Sequence, residues 1–113
     1  MSDQRLGEFE EIILLLVGIL AEEAYAFRIG DEYATQTGKI SSIGAIHATL
    51  SRLEQKGYLK SLQSDPTPVR GGRRKRIYRI TALGQRVLDE SRQLRQSLWN
   101  QFPGFQDLSF SYV

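Results

Sequence analysis

Six cations fall within ten residues between Arg70 and Arg79, with no acid among them. Arg70, Arg73, Arg74, Lys75 and Arg76 carry most of that charge, and Gly71-Gly72 sits within its leading edge. Charge at this density suits one task above others, the neutralisation of phosphates on a polyanion with release of its counterions. The stretch that follows alternates as a strand does, with Ile77 and Arg79 on one face and Arg76, Tyr78 and Ile80 on the other. Glycines, then cations, then a strand spell a β-hairpin with a basic tip. Such a hairpin directly after a helix with a small-residue face points to a winged helix-turn-helix that grips DNA.

The helix in question is capped by Ser41 or Ser42 and runs to about Lys56, where Lys56-Gly57 supplies a favourable charge and a C′ glycine. Ile43, Ile46, Leu50 and Leu53 form its buried stripe. Opposite them stand Gly44, Ala45, Ala48, Ser51, Arg52 and Gln55, most of them small enough for the backbone to approach base edges. Ser41, Ser42 and the free N–H groups of the first turn suit a phosphate. His47, Thr49, Ser51 and Arg52 offer hydrogen bonds, and Arg52 suits a guanine or a phosphate. Taken alone, this face is what an ordinary surface helix shows; beside the basic hairpin, the DNA-reading role gains weight.

Other chemistries lack their residues. The chain has no cysteine, which excludes disulfides and thiolate metal sites and suits a reducing cytoplasm. His47 is the only histidine, so no protein zinc site and no metal or other cofactor is expected. There is no phosphate-binding glycine loop after a strand and no convincing acid pair, so an enzyme is the least favoured class. The longest apolar run, Ile12 to Ala21, falls short of the ~20 residues needed to span a bilayer, so no membrane partner is expected.

The elements that must position these residues follow from periodicity. Residues 7–22 form a first helix, with Phe9, Ile12, Ile13, Leu16, Val17 and Leu20 in a stripe that Leu14, Leu15 and Ile19 broaden. Tyr25 to Thr37 form a second, using Phe27, Ile29 and Tyr33 as apolar residues and ending at Gly38; Gly30 marks close packing. Residues 58–63 and 76–80 are strands, with Asp65-Pro66-Thr67-Pro68 as a stiff arm between them. Arg79 is expected to pair with an acid within the fold. Thr81 caps a fourth helix to about Gln101, with Leu83, Val87, Leu94 and Leu98 along one side. The expected fold is mainly α with a small β-hairpin, a winged helix-turn-helix over residues 1–81 with its wing at about 58–80. A C-terminal helix over 82–101 and a short tail over 102–113 complete it.

Charge separates along the chain. Residues 1–32 carry −6 and residues 33–113 carry +8, leaving +2 overall. A polyanion is therefore expected to meet one side of the fold.

In this order, several segments resemble the PadR-like winged-helix transcriptional regulators. Leu6-Gly7-Glu8-Phe9-Glu10 opens the first helix, and Tyr25-Ala26-Phe27-Arg28-Ile29 resembles that family's Tyr-Gly-x-x-Ile motif. Residues 42–57 resemble its recognition helix, and residues 71–81 with Gly84 resemble its wing and the start of its last helix. Ala26 stands where the family usually has glycine and His47 where it often has tyrosine. The resemblance implies a two-fold dimer made by the C-terminal helix and the partner's N-terminal helix, through Phe9, Ile13, Leu16, Leu94 and Leu98. A symmetric dimer implies double-stranded DNA with a palindromic operator, half-sites ~34–36 Å apart or a multiple of that. The expected function is a sequence-specific, dimeric repressor responsive to a small aromatic effector, for which Trp99 offers a stacking surface. The alternative is a protein-interaction module that binds no DNA, in which the acidic first helix and the apolar stripes would be the working surfaces.

Overall fold

A computed structural model describes residues 6–63 and 75–104. Its elements are α1 (Glu8–Leu20), α2 (Ala26–Thr37), α3 (Ile43–Gln55), β1 (Leu59–Gln63), β2 (Arg76–Ile80) and α4 (Ala82–Gln101), with a 3₁₀ turn at Ala21–Glu23. Four helices and one hairpin in this order make a mainly helical winged helix-turn-helix.

Local chemistry sets the boundaries. The Gly7 N–H donates to Glu10 Oε1 at 3.0 Å, which closes the first turn of α1. Gly38 ends α2 in the left-handed region at φ 73°, its N–H on the Ala34 carbonyl at 2.9 Å. Ser42 caps α3 by accepting from Ala45 N–H at 3.0 Å. Thr81 caps α4 by accepting from Gly84 N–H at 3.0 Å, and its hydroxyl donates to the Gly57 carbonyl. That single threonine fixes where the hairpin ends and α4 begins.

The core lies between α1, α2, α3 and the inner face of the hairpin. Ile13, Leu14, Ile29, Ile46, Leu50, Leu53 and Leu59 are almost wholly buried in it. β1 and β2 are antiparallel with Leu59 opposite Ile80, Ser61 opposite Tyr78 and Gln63 opposite Arg76. Tyr78 N–H donates to the Ala24 carbonyl at 2.9 Å, so β2 is held on its other side by the turn before α2. Gly84 lets α4 settle on the end of β1: a Cβ there would collide with the Tyr58 carbonyl oxygen.

Several expectations are corrected. Ile13 and Leu16 belong to the protomer's own core and offer nothing to a second subunit; the outward side of α1 carries Leu15 and Ile19 instead. Phe27 is 71% exposed, because Ala26, Ile29 and Tyr33 already supply the inward face of α2. Ile43 is partly exposed, and buried Thr49 takes its expected place on the inner side of α3. Gly30 is not a close-packing site, since an added Cβ would meet Ile46 only at 4.0 Å. Arg79 has no acid opposite it; its cross-strand neighbour is Lys60, and both are exposed.

Candidate nucleic-acid interface

The outward face of α3 is a ridge of Gly44, Ala48, Ser51 and Gln55, with Ala45 and His47 on its shoulders, all exposed. Nothing lies within 4 Å of where a Gly44 Cβ would be, so the backbone of the first turn faces open space. Ser42 spends its hydroxyl on the cap, and Ser41 Oγ donates to the Ser42 carbonyl at 3.3 Å. The ridge itself carries no charge.

The charges stand on its flanks, and Arg52, Lys56, Lys75 and Arg76 each have a partner. Arg52 turns toward α1, where its Nε donates to Glu10 Oε2 at 3.0 Å and its Nη2 to Thr49 Oγ1 at 3.3 Å. Lys56 Nζ donates to the same Glu10 oxygen at 3.1 Å. Arg52 thus departs from the outward orientation expected of it, because a buried carboxylate one helix away attracts its guanidinium. Burial raises the Glu10 carboxyl, but bonds from Gly7 N–H, Arg52 and Lys56, with the Lys56 charge, outweigh it and hold the group below its usual range.

On the other flank, Arg76 Nη1 donates to Ser61 Oγ at 2.9 Å, and that hydroxyl donates to Glu54 Oε2 at 2.8 Å. This relay anchors the hairpin to the last turn of α3. Burial pushes the Tyr78 hydroxyl pKa up, the nearby Glu54 charge adds to that, and Arg76 opposes it. Lys75 Nζ lies 4.1 Å from the centroid of the Tyr25 ring, a cation–π contact that ties the hairpin to the start of α2. Arg70, Arg73 and Arg74 lie outside the described residues.

The residues expected at a subunit interface divide. Phe9 packs edge-on against Tyr33, ring centroids 5.2 Å apart, in the protomer's own interior. Leu94, Leu98 and Trp99 are more than half exposed on the distal part of α4, as is Phe102, whose ring meets Trp99 edge-on at 5.9 Å. A groove of about 360 Å³ runs beside them, lined by Leu6, Val87, Glu90, Ser91, Leu94, Arg95 and Leu98. Among the described residues, no cluster of His, Cys, Asp or Glu is placed to hold a metal, and no helix is long and apolar enough to cross a membrane.

Sequence reasoning missed Glu10, Glu54, Ser61 and Tyr25. Glu10 had a signal, since an acid three residues after a helix-opening glycine suggests a capping role. Arg52 and Lys56, four apart, share one side of α3 and had to meet the same neighbour. For Glu54 and Ser61 the contact depends on how the hairpin folds back, and nothing in their spacing announces it.

Comparisons with known proteins agree with this architecture. A family model described as the transcriptional regulator PadR-like family matches residues 14–90. An uncharacterised protein of Lysinibacillus sphaericus is 35% identical over 91 residues, 79% of each chain. A PadR family transcription regulator from hypervirulent Clostridium difficile R20291 superimposes with a TM-score of 0.59 at 30% identity, over 82% of this chain and 98% of that one. A PadR family transcriptional regulator from Eggerthella lenta shares the fold at a TM-score of 0.66 and 23% identity, over 90% of this chain and 88% of the other. By the family model, the identity to its relative and the helix–hairpin–helix architecture together, this chain belongs to the PadR-like family of transcriptional regulators.

Proposed function

We propose that the chain acts as a homodimeric repressor that reads a palindromic operator. The observation that carries this is the exposed ridge of α3, small and uncharged from Gly44 to Ser51, set beside a hairpin whose described residues include the cations Lys75 and Arg76. In this assignment Ala45, His47 and Ser51 meet base edges in the major groove, while Gly44 lets the backbone come close. Ser41 and the first-turn N–H groups meet a phosphate. The wing cations Arg70, Arg73, Arg74, Lys75 and Arg76 bind phosphates and set affinity rather than sequence preference.

Dimerisation is assigned to the distal part of α4. Leu94, Leu98, Trp99 and Phe102 would leave a contiguous apolar strip in water on a lone protomer, and a second copy covers it. A small aromatic effector fits the shallow groove of about 240 Å³ formed by Arg95, Leu98, Trp99 and Phe102, where the indole offers a face and Arg95 a charge. Quenching of Trp99 fluorescence across a panel of aromatic compounds tests this part; a silent panel at millimolar concentration removes it.

The test of the whole is fluorescence anisotropy of a labelled random duplex titrated at several salt concentrations. Binding whose log K falls steeply with log salt supports DNA recognition and justifies an operator selection. Absence of binding at low salt rejects it in favour of a protein-interaction module.

A further inference from the structure

Glu10 is the most deeply placed acid of the described chain, and it serves two cations at once. Its side chain is 11% exposed, whereas those of Arg52 and Lys56 are 50% and 34% exposed. Both carboxylate oxygens are engaged: Oε1 by the Gly7 N–H, Oε2 by Arg52 Nε and Lys56 Nζ. At about 100° per residue, Arg52 lies roughly 70° and Lys56 roughly 110° from the centre line of the Gly44, Ala48, Ser51, Gln55 ridge, both on the side of α1. The carboxylate therefore stands behind the recognition helix and draws its two flank cations away from the surface that would meet DNA.

We propose that Glu10 is an affinity-limiting counter-charge: by holding Arg52 and Lys56 in an internal ion cluster, it keeps them from binding DNA phosphates. Each free cation beside duplex DNA adds about 0.9 to the slope of log K against log salt and strengthens binding to every sequence alike. That term multiplies operator and random-sequence affinity by the same factor, so withholding the two cations lowers sequence-independent affinity and leaves their ratio to the ridge. The uncharged ridge then decides which sequence is held. Glu10 touches no DNA in this scheme; it is a positioning residue that acts through Arg52 and Lys56. The inference rests on the DNA-binding role proposed above.

The test compares the full-length wild-type chain with Glu10→Gln, Lys56→Gln and the double variant Glu10→Gln/Arg52→Gln, by anisotropy with a labelled random duplex between 0.05 and 0.3 M salt (about the range over which phosphate contacts dominate). Glutamine keeps the shape and can still accept from Gly7 N–H, so helix content and melting temperature report whether the fold survives. Glu10→Gln is expected to tighten random-duplex binding by roughly 5–10-fold per released cation at 0.1 M salt and to steepen the salt slope by about 0.9 for each. Adding Arg52→Gln removes the increment due to that residue. A purely structural role for Glu10 would leave the slope where it was.

Lys56→Gln alone leaves the wild-type slope unchanged if Lys56 is already neutralised, and this holds even if the Glu10 variant is poorly folded. A slope that drops by about one in Lys56→Gln, or a folded Glu10→Gln that binds no more tightly than wild type, overturns the inference while leaving DNA binding intact. Failure of the wild-type chain to bind at low salt overturns the DNA-binding role, and the inference with it.

Discussion

The two halves of α4 differ more than their sequences suggest. Residues 82–91 bury Gly84, Val87 and Leu88 against the rest of the protomer, while every residue from Arg92 to Gln101 is exposed. Yet the apolar stripe does not stop at the boundary: Val87, Leu94 and Leu98 continue it at helical spacing. The first half is held by close backbone packing on Tyr58 and by the Thr81 cap. The second leaves the core altogether. One continuous pattern therefore serves two surfaces, one closed by this chain and one open to a partner. Stability should concentrate in the first half and association in the second.

The strongest way to break that division is Gly84→Ala. The added methyl collides with the Tyr58 carbonyl, which is backbone and cannot swing aside. The expected cost is about 3 kcal/mol or more, a fall in melting temperature exceeding roughly 10 °C for a domain of this size. A variant that melts with the wild type would show that α4 is not seated on β1 as described. Next in size is Leu98→Asp. Leu98 is 56% exposed on the protomer, so helix content should persist. A charge at the proposed subunit interface should weaken dimerisation by roughly two orders of magnitude, or about 3 kcal/mol. Sedimentation velocity reads this directly. An unchanged dimer would move the interface elsewhere on the molecule.

The same comparison explains what was legible in the sequence. Periodicity marked α1, α3 and α4, and the caps Ser42 and Thr81 and the terminator Gly38 stood where side-chain chemistry needs them. Periodicity says that a face is apolar and is silent on what covers it. Ile13 and Leu16 therefore read as interface residues although they fill the core, and Phe27 read as core although it faces solvent. Charge pairing was harder still. Arg52 and Glu10 are 42 residues apart, and only the packing of α1 on α3 brings them together. The wing cations Arg70, Arg73 and Arg74 were the plainest signal in the chain and fall outside the described residues.

α1 joins the two regimes through adjacent carboxylates. Glu10 holds α3, and Glu11 accepts from Ser91 Oγ at 3.2 Å and lies 3.4 Å from Arg95 Nη2 on α4. Glu10 has a lowered folded pKa, so its contribution to stability is complete above the ordinary carboxyl value of 4.5 and is lost as pH falls through the lowered one. A melting-temperature profile from pH 6 down to about pH 3 should therefore fall less steeply for Glu10→Gln than for wild type. Parallel profiles would mean that the ion cluster is not formed in the folded protein.

The smallest expected effect lies at the boundary itself. Arg95 is 59% exposed, and its contact with Glu11 is long. Half-exposed pairs of this kind contribute at most about 1 kcal/mol, so Arg95→Gln should barely change the melting temperature. Its consequence is local. Beyond Ser91, this pair is the last tie to α1 among the described ion pairs, and α4 then continues unsupported to Gln101. Amide hydrogen exchange on a dilute, monomeric sample should quicken between Arg92 and Gln101 in the variant and stay unchanged over residues 82–91. Faster exchange in both halves would mean that α4 opens as one unit, and the division between a seated half and a free half would fail.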